Sequence, residues 1–176
     1  MRLTGPEIKR RILIGDIQVT PFDSANVGPC SLDLRLGAEL CRPRVNYPNQ
    51  VLNTHHPCTW FTEHIPDGGY LMMPGQLYLA STVERISLQG LSGTVFGRSS
   101  AARYGITVES AGFVDDGFDG TITLEIVVVH PILVHAGDRI CQIAFDELVG
   151  EREPYTGSYN SSLGPVPPKP LNKRKS

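Results

Sequence analysis

Short apolar runs rich in β-branched residues, interrupted at close intervals by glycine and proline, set the pattern of this chain. That rhythm predicts a mainly β fold, a sandwich or barrel, rather than alternating helices and strands. Strands are predicted over residues 31–36, 70–73, 76–88, 93–96, 121–130 and 139–147, with turns at Pro74-Gly75 and Ala136-Gly137-Asp138. One helix is predicted over residues 4–14. Thr4 can cap it, Pro6 suits its first turn, Glu7 stands at capping-box spacing and Gly15 can end it. Residues 42–67 are polar and contain proline, and read as a long loop or peripheral hairpin. Residues 1–150 read as one domain. Residues 151–176, with many Gly, Ser and Pro and a Lys173-Arg174-Lys175 end, read as a mobile arm.

Composition narrows this picture. A chain of 176 residues, 40% of them hydrophobic, suits one soluble domain with a real core. The net charge of -2 argues against general nucleic-acid binding, because the polyanion demands a basic surface, so any anion binding must be local. No apolar run reaches the length of a membrane span, and Ile12-Leu13-Ile14 is too short for the core of a secretion signal. Cys30, Cys41, Cys58 and Cys141 are scattered without a C-x-x-C pair, which fits a reduced, cytoplasmic protein with free thiols.

Candidate chemistry concentrates between residues 97 and 125. Arg98 and Arg103 offer planar, permanently charged donor forks, Ser99 and Ser100 offer hydroxyls, and Gly97 lets backbone N–H groups approach closely. This combination reads as an anion site, with a surface salt bridge or subunit contact as the plainer reading of each arginine alone. In the strand after Gly120, period-two alternation puts Ile122, Leu124, Ile126 and Val128 on one face. Glu125 falls on the other face with Thr121, Thr123, Val127 and Val129. Periodicity alone favours an ordinary solvent-facing glutamate, but apolar neighbours would raise its pKa toward the range useful for moving protons. Asp115-Asp116-Gly117 reads as a turn. His55, His56 and Cys58 look like metal ligands only superficially, lacking a second ligand pair at recognisable spacing. His130 and His135 read as surface or structural residues.

Taken together, the motifs resemble the dCTP deaminase family within the trimeric dUTPase superfamily. The resemblance runs from Met1-Arg2-Leu3-Thr4 through Cys30-Ser31-Leu32-Asp33-Leu34-Arg35-Leu36-Gly37, residues 74–85, the Gly97 and Ala111 segments, and Gly137-Asp138-Arg139-Ile140-Cys141-Gln142. It implies a distorted β-barrel of jelly-roll type with a short N-terminal helix, assembled as a homotrimer with active sites between subunits and closed by the C-terminal arm. It implies hydrolysis of dCTP to dUTP and ammonia, with Glu125 as the catalytic glutamate and Ser99 and Arg103 reaching the base from a neighbouring subunit. Arg98, Ser100, Gln142 and Tyr159 match triphosphate-side positions, Asp115 the sugar side, and the backbone at Ala111 the pyrimidine edge. Mg2+ would ride on the triphosphate, with no protein-bound zinc, since the H-x-E and P-C-x-x-C set of zinc deaminases is absent from the chain. The resemblance implies neither a nucleic-acid nor a membrane partner.

Glu125 separates this chain from plain dUTPases, which resemble it elsewhere but lack that glutamate. The segment from Ala111 to Asp115 looks like bifunctional relatives that carry dCTP through to dUMP and diphosphate. A lysine that the resemblance leads one to expect just before Tyr159 is replaced by Ser158, leaving Lys169 or Lys173 as substitutes. A dUTPase, a dCMP-preferring deaminase and a non-catalytic nucleotide-binding regulator remain alternatives.

Overall fold

The computed structural model describes residues 1–45, 51–56, 58–109 and 112–171. Among them, helix α1 spans Gly5–Ile14 and a second, one-turn helix α2 spans Ser99–Arg103. The strands are β1 (Ile17–Thr20), β2 (Leu32–Pro43), β3 (Trp60–His64), β4 (Tyr70–Met72), β5 (Tyr78–Leu88), β6 (Leu91–Gly97), β7 (Ile106–Val108), β8 (Phe113–Val114), β9 (Asp119–Val128), β10 (Ile132–Val134) and β11 (Arg139–Glu147). The mainly β expectation is met.

One antiparallel sheet runs in the order β7, β9, β5, β2, β11, β6, β8, with β1 added on β5 and β3 on β2. It curls into a distorted half-barrel around a single apolar core, while β4 and β10 form a separate ladder. The long strands make the curl by changing partners. The first part of β2 pairs with β11 and its last part with β3, with a register shift between Leu36 and Leu40 in its ladder with β5. At this bend Gly37 passes so close to Ser81 that an added Cβ would lie 2.9 Å from the Ser81 carbonyl oxygen. Only glycine fits there without moving backbone.

A second irregularity lies in the ladder of β5 with β9, between Ser81 and Arg85. Thr82, buried at this break, replaces the lost ladder bonds: its Oγ1 accepts from the Ile122 amide at 3.0 Å and donates to the Glu84 carbonyl at 2.7 Å. Glu84 is buried beside it, its carboxylate accepting from the Arg35 amide at 2.9 Å and the Arg35 Nε at 2.7 Å. Replacing Glu84 with Ala is expected to cost about 2–4 kcal/mol, because it leaves the Arg35 amide unpaired while the partly exposed guanidinium regains water. The check is the denaturant midpoint, and an unchanged midpoint would contradict this account.

The helix forms nearly where the sequence placed it, with Gly15 at φ 89° closing it. The capping box does not form. Thr4 makes no side-chain cap bond, and Glu7 instead accepts from Arg10 and Arg11 at 2.6–2.8 Å. Arg11 continues to Asp16 and Glu147, tying the helix to the end of β11. Strand β3 pairs with the end of β2 and forms the peripheral hairpin, one of the two readings of residues 42–67. Strands β1, β7, β8 and β10 go beyond the sequence prediction, each having only two to four residues, too few to show a period. Among the described residues no helix is long and apolar enough to cross a membrane. All four cysteines are free, and burial, followed by the nearby Glu84 and Asp33 charges, pushes the Cys141 thiol up to about 12.

Candidate active site

Strand β9 alternates as its pattern predicts. Ile122, Leu124, Ile126 and Val128 are buried, while Thr121, Thr123 and Glu125 face a cavity of about 570 Å3. Leu79, directly opposite Glu125 on β5, contributes to the floor, and Pro43 and Trp60, paired across β2 and β3, form an apolar end wall. The buried Trp60 Nε1 has no hydrogen-bond partner among the described residues. The turn after β8 supplies Asp115 and Phe118, and the C-terminal segment supplies Tyr155, Tyr159 and Ser162.

Glu125 is half-buried in this wall. Burial raises its pKa above the usual glutamate value of 4.5, a bond from its own amide pulls the other way, and the charge of Glu109 raises it further. The Glu109 amide donates to the Glu125 carbonyl at 2.8 Å, fixing the strand edge beside it. A half-desolvated carboxylate on a rigid strand is well placed to accept a proton from water and return it.

Asp115 lies in the same cavity, and its carbonyl accepts from the Phe118 amide at 3.2 Å, closing the turn that the sequence predicts. The next residue, Asp116, has a different role. It is 4% exposed, and its carboxylate accepts from the Gly90 amide at 2.7 Å and from Nε and Nη2 of Arg152 at 2.8 Å each. The Arg152 guanidinium holds the Asp116 carboxyl below the usual aspartate value. This pair anchors the C-terminal segment where it leaves the barrel.

From that anchor the chain returns along the edge of β9 that β7 leaves uncovered. Ser161 donates to the Asp119 carbonyl at 2.6 Å, Thr121 donates to Ser162 at 2.9 Å, and Thr121 and Thr123 hydroxyls accept from the Gly164 and Val166 amides. Asn160 adds bonds to Asp119 and Gly117. The segment thereby covers the cavity that holds Glu125 of its own chain.

The remaining predicted residues form a second group, none of which lines this cavity. Ser99, Ser100 and Arg103 are exposed on α2. Arg98, just before α2, is held by Asp33 at 3.1 Å and by the Arg139 carbonyl at 3.4 Å. Gln142 stands in register between Phe96 and Asp33, and its side-chain oxygen accepts from Ser31 Oγ at 2.9 Å. The chain thus brings Glu125, Asp115 and Tyr159 together in one cavity, whose lining does not include Arg98, Ser99, Ser100, Arg103 or Gln142. Ala111 and Lys173 lie outside the described residues. His135 faces Asp138 at 3.9 Å on the surface, and His130 is exposed. Among the described residues no three His, Cys, Asp or Glu side chains cluster to hold a metal ion.

A family model described as dCTP deaminase-like matches residues 2–148. A protein of Hathewaya histolytica named "dCTP deaminase, dUMP-forming" is 40% identical over 169 residues, covering 95% of each chain. The protein of the same name from Leptospira biflexa is also 40% identical over 169 residues, covering 95% of this chain and 94% of its own. Among solved structures, 2'-deoxycytidine 5'-triphosphate deaminase from Agrobacterium tumefaciens superposes with a TM-score of 0.65 at 25% identity. That match covers 82% of this chain and 46% of the other, so this chain spans about half the length of that structure.

Proposed function

Since the chain belongs to the dCTP deaminase-like family, we propose that it hydrolyses dCTP to dUMP, releasing ammonia and diphosphate. The observation that carries this reading is the half-buried Glu125 in a cavity shared with Asp115 and Tyr159. The resemblance by itself pointed first to dUTP as product, with dUMP as the alternative. The dUMP-forming relatives at 40% identity support the alternative, as does the presence of a second carboxylate, Asp115, in the same cavity.

In the first step the oxygen of a water bonds to C4 of cytosine while Glu125 takes one of that water's protons and delivers it to N3. The second proton, on the new C4 hydroxyl, passes through Glu125 to the amino nitrogen, the C4–N4 bond breaks as C4=O forms, and ammonia departs. In the second, Asp115 orients a water toward the α-phosphorus, and the bond to the bridging oxygen breaks to release diphosphate. Magnesium would be carried by the nucleotide and would neutralise part of its phosphate charge, with no dedicated protein ligands. Ser99 and Arg103 polarise the base, and Arg98, Ser100 and Gln142 bind phosphates, all from a neighbouring copy of the chain in a trimer. Their absence from the lining of the Glu125 cavity supports that arrangement, as do the exposed apolar side chains of Phe96, Tyr104 and Val129. The barrel of residues 1–150 carries the chemistry, and the C-terminal arm that begins at residue 151 closes over it.

The test is incubation with dCTP and magnesium, followed by chromatography of nucleotides and assay of ammonia and diphosphate. Ammonia, dUMP and diphosphate in equal amounts are expected. Accumulating dUTP would remove the second step, and nucleotide binding without any product would replace the enzyme reading with a regulatory one.

A further inference from the structure

On the reading that this cavity takes a deoxycytidine nucleotide, we infer that Lys169 supplies the positive charge that meets the phosphates on the C-terminal side of the cavity. The described lining contains the carboxylates of Asp115 and Glu125 and no lysine, arginine or histidine. A polyanion entering such a cavity needs cations at its rim.

Most neighbouring cations are already committed. Arg85 is held by Asp119 through contacts of 2.8 and 2.6 Å, and Arg152 by Asp116 through two of 2.8 Å. Arg42 is paired with Glu63 at 2.9 Å. Arg42 and Arg44 both lie over the Phe61 ring at 5.1 Å, and the pleat turns Arg42 and Phe61 to the opposite side of the hairpin from the cavity-lining Pro43 and Trp60.

Lys169 is different. It follows Pro168, which lines the cavity, and its amide donates to the hydroxyl of the cavity-lining Tyr159 at 3.3 Å. Its Nζ donates to the Ser158 carbonyl at 2.9 Å and stands 5.3 Å from the centre of the Tyr159 ring. A carbonyl and a ring face hold an ammonium in place without neutralising it, and leave donors for phosphate oxygens. Pro165, Pro167, Pro168 and Pro170 stiffen this stretch, so less conformational freedom is lost when phosphate is gripped. The carbonyl that Lys169 contacts belongs to Ser158, the residue just before Tyr159, so the charge absent from that position in the sequence is returned to it through space.

The experiment compares the unmodified protein with Lys169→Met, which keeps most of the apolar stem, and Lys169→Arg. Binding of dCTP and dCMP is measured by titration calorimetry, with KM and kcat for dCTP. Lys169→Met should weaken dCTP binding about tenfold or more and raise its KM in proportion, with dCMP binding changed less than about twofold. Lys169→Arg should restore most of the dCTP affinity. Equal losses for both nucleotides, or unchanged dCTP affinity, would overturn the role of Lys169 while leaving the nucleotide reading intact. Unmodified protein that neither binds nor deaminates dCTP would overturn the nucleotide reading, and this inference with it.

Discussion

Replacing Glu125 with Gln is expected to lower kcat for dCTP deamination by roughly a hundredfold to ten-thousandfold, the usual contribution of a positioned acid–base group. Glutamine nearly matches the volume and shape of the side chain, so the β9 wall and the cavity stay as they are, but it can neither take the proton of the attacking water nor return it. On the proposed mechanism, hydrolysis of added dUTP should survive, because that step attacks phosphorus through a water oriented by Asp115. The unmodified enzyme should also show an acid limb in kcat/KM whose midpoint lies above the usual glutamate value of 4.5, since burial and the Glu109 charge both favour the protonated form. Below that midpoint Glu125 carries its proton and cannot accept one; above it the carboxylate is free to act. Residual deamination by the Gln variant should lack this limb. Turnover of dCTP at the unmodified rate by the Gln variant would remove Glu125 from its role, and a midpoint at or below 4.5 would contradict its raised pKa.

Mixing two inactive variants should restore activity. Arg103→Ala and Glu125→Gln, assayed separately, are each expected to lose at least about a hundredfold in deamination, Arg103 through lost polarisation of the reacting base. If each site joins Glu125 of one subunit to Arg103 of the next, random trimers from an equal mixture contain about a quarter of sites with both groups intact. Joint unfolding and refolding, or co-expression, followed by a deamination assay, should therefore recover about that fraction of the original activity. Recovery is expected because Glu125 and Arg103 belong to separate groups on the isolated chain, Glu125 under the C-terminal segment and Arg103 exposed on α2. Failure to recover any activity from verified mixed trimers would mean that the two residues serve the same subunit.

Much of this was legible in the chain. The alternation that puts Glu125 opposite Ile122, Leu124 and Ile126 is a local property, since a strand's period of two needs only consecutive residues to be read. The same holds for the α1 boundaries and for the Asp115-Asp116-Gly117 turn. The capping box does not form, and its spacing alone does not reveal the competitors for its glutamate. Arg10 and Arg11 lie three and four residues beyond Glu7 on the same helix face and take its carboxylate.

What the sequence by itself determined was the class of fold, the face of its strand on which Glu125 lies, and, through its motifs, the family. Only the tertiary structure decided which of those residues share a cavity. Asp116 grips Arg152 across 36 positions and Ser31 meets Gln142 across 111, and no periodicity links residues so far apart. The same is true of the C-terminal segment, whose polar composition suggested a mobile arm but whose backbone groups find partners on the uncovered edge of β9. Local spacing dictates where a side chain points, whereas the surface it meets depends on how the whole sheet curls, and that is set by packing of the common core.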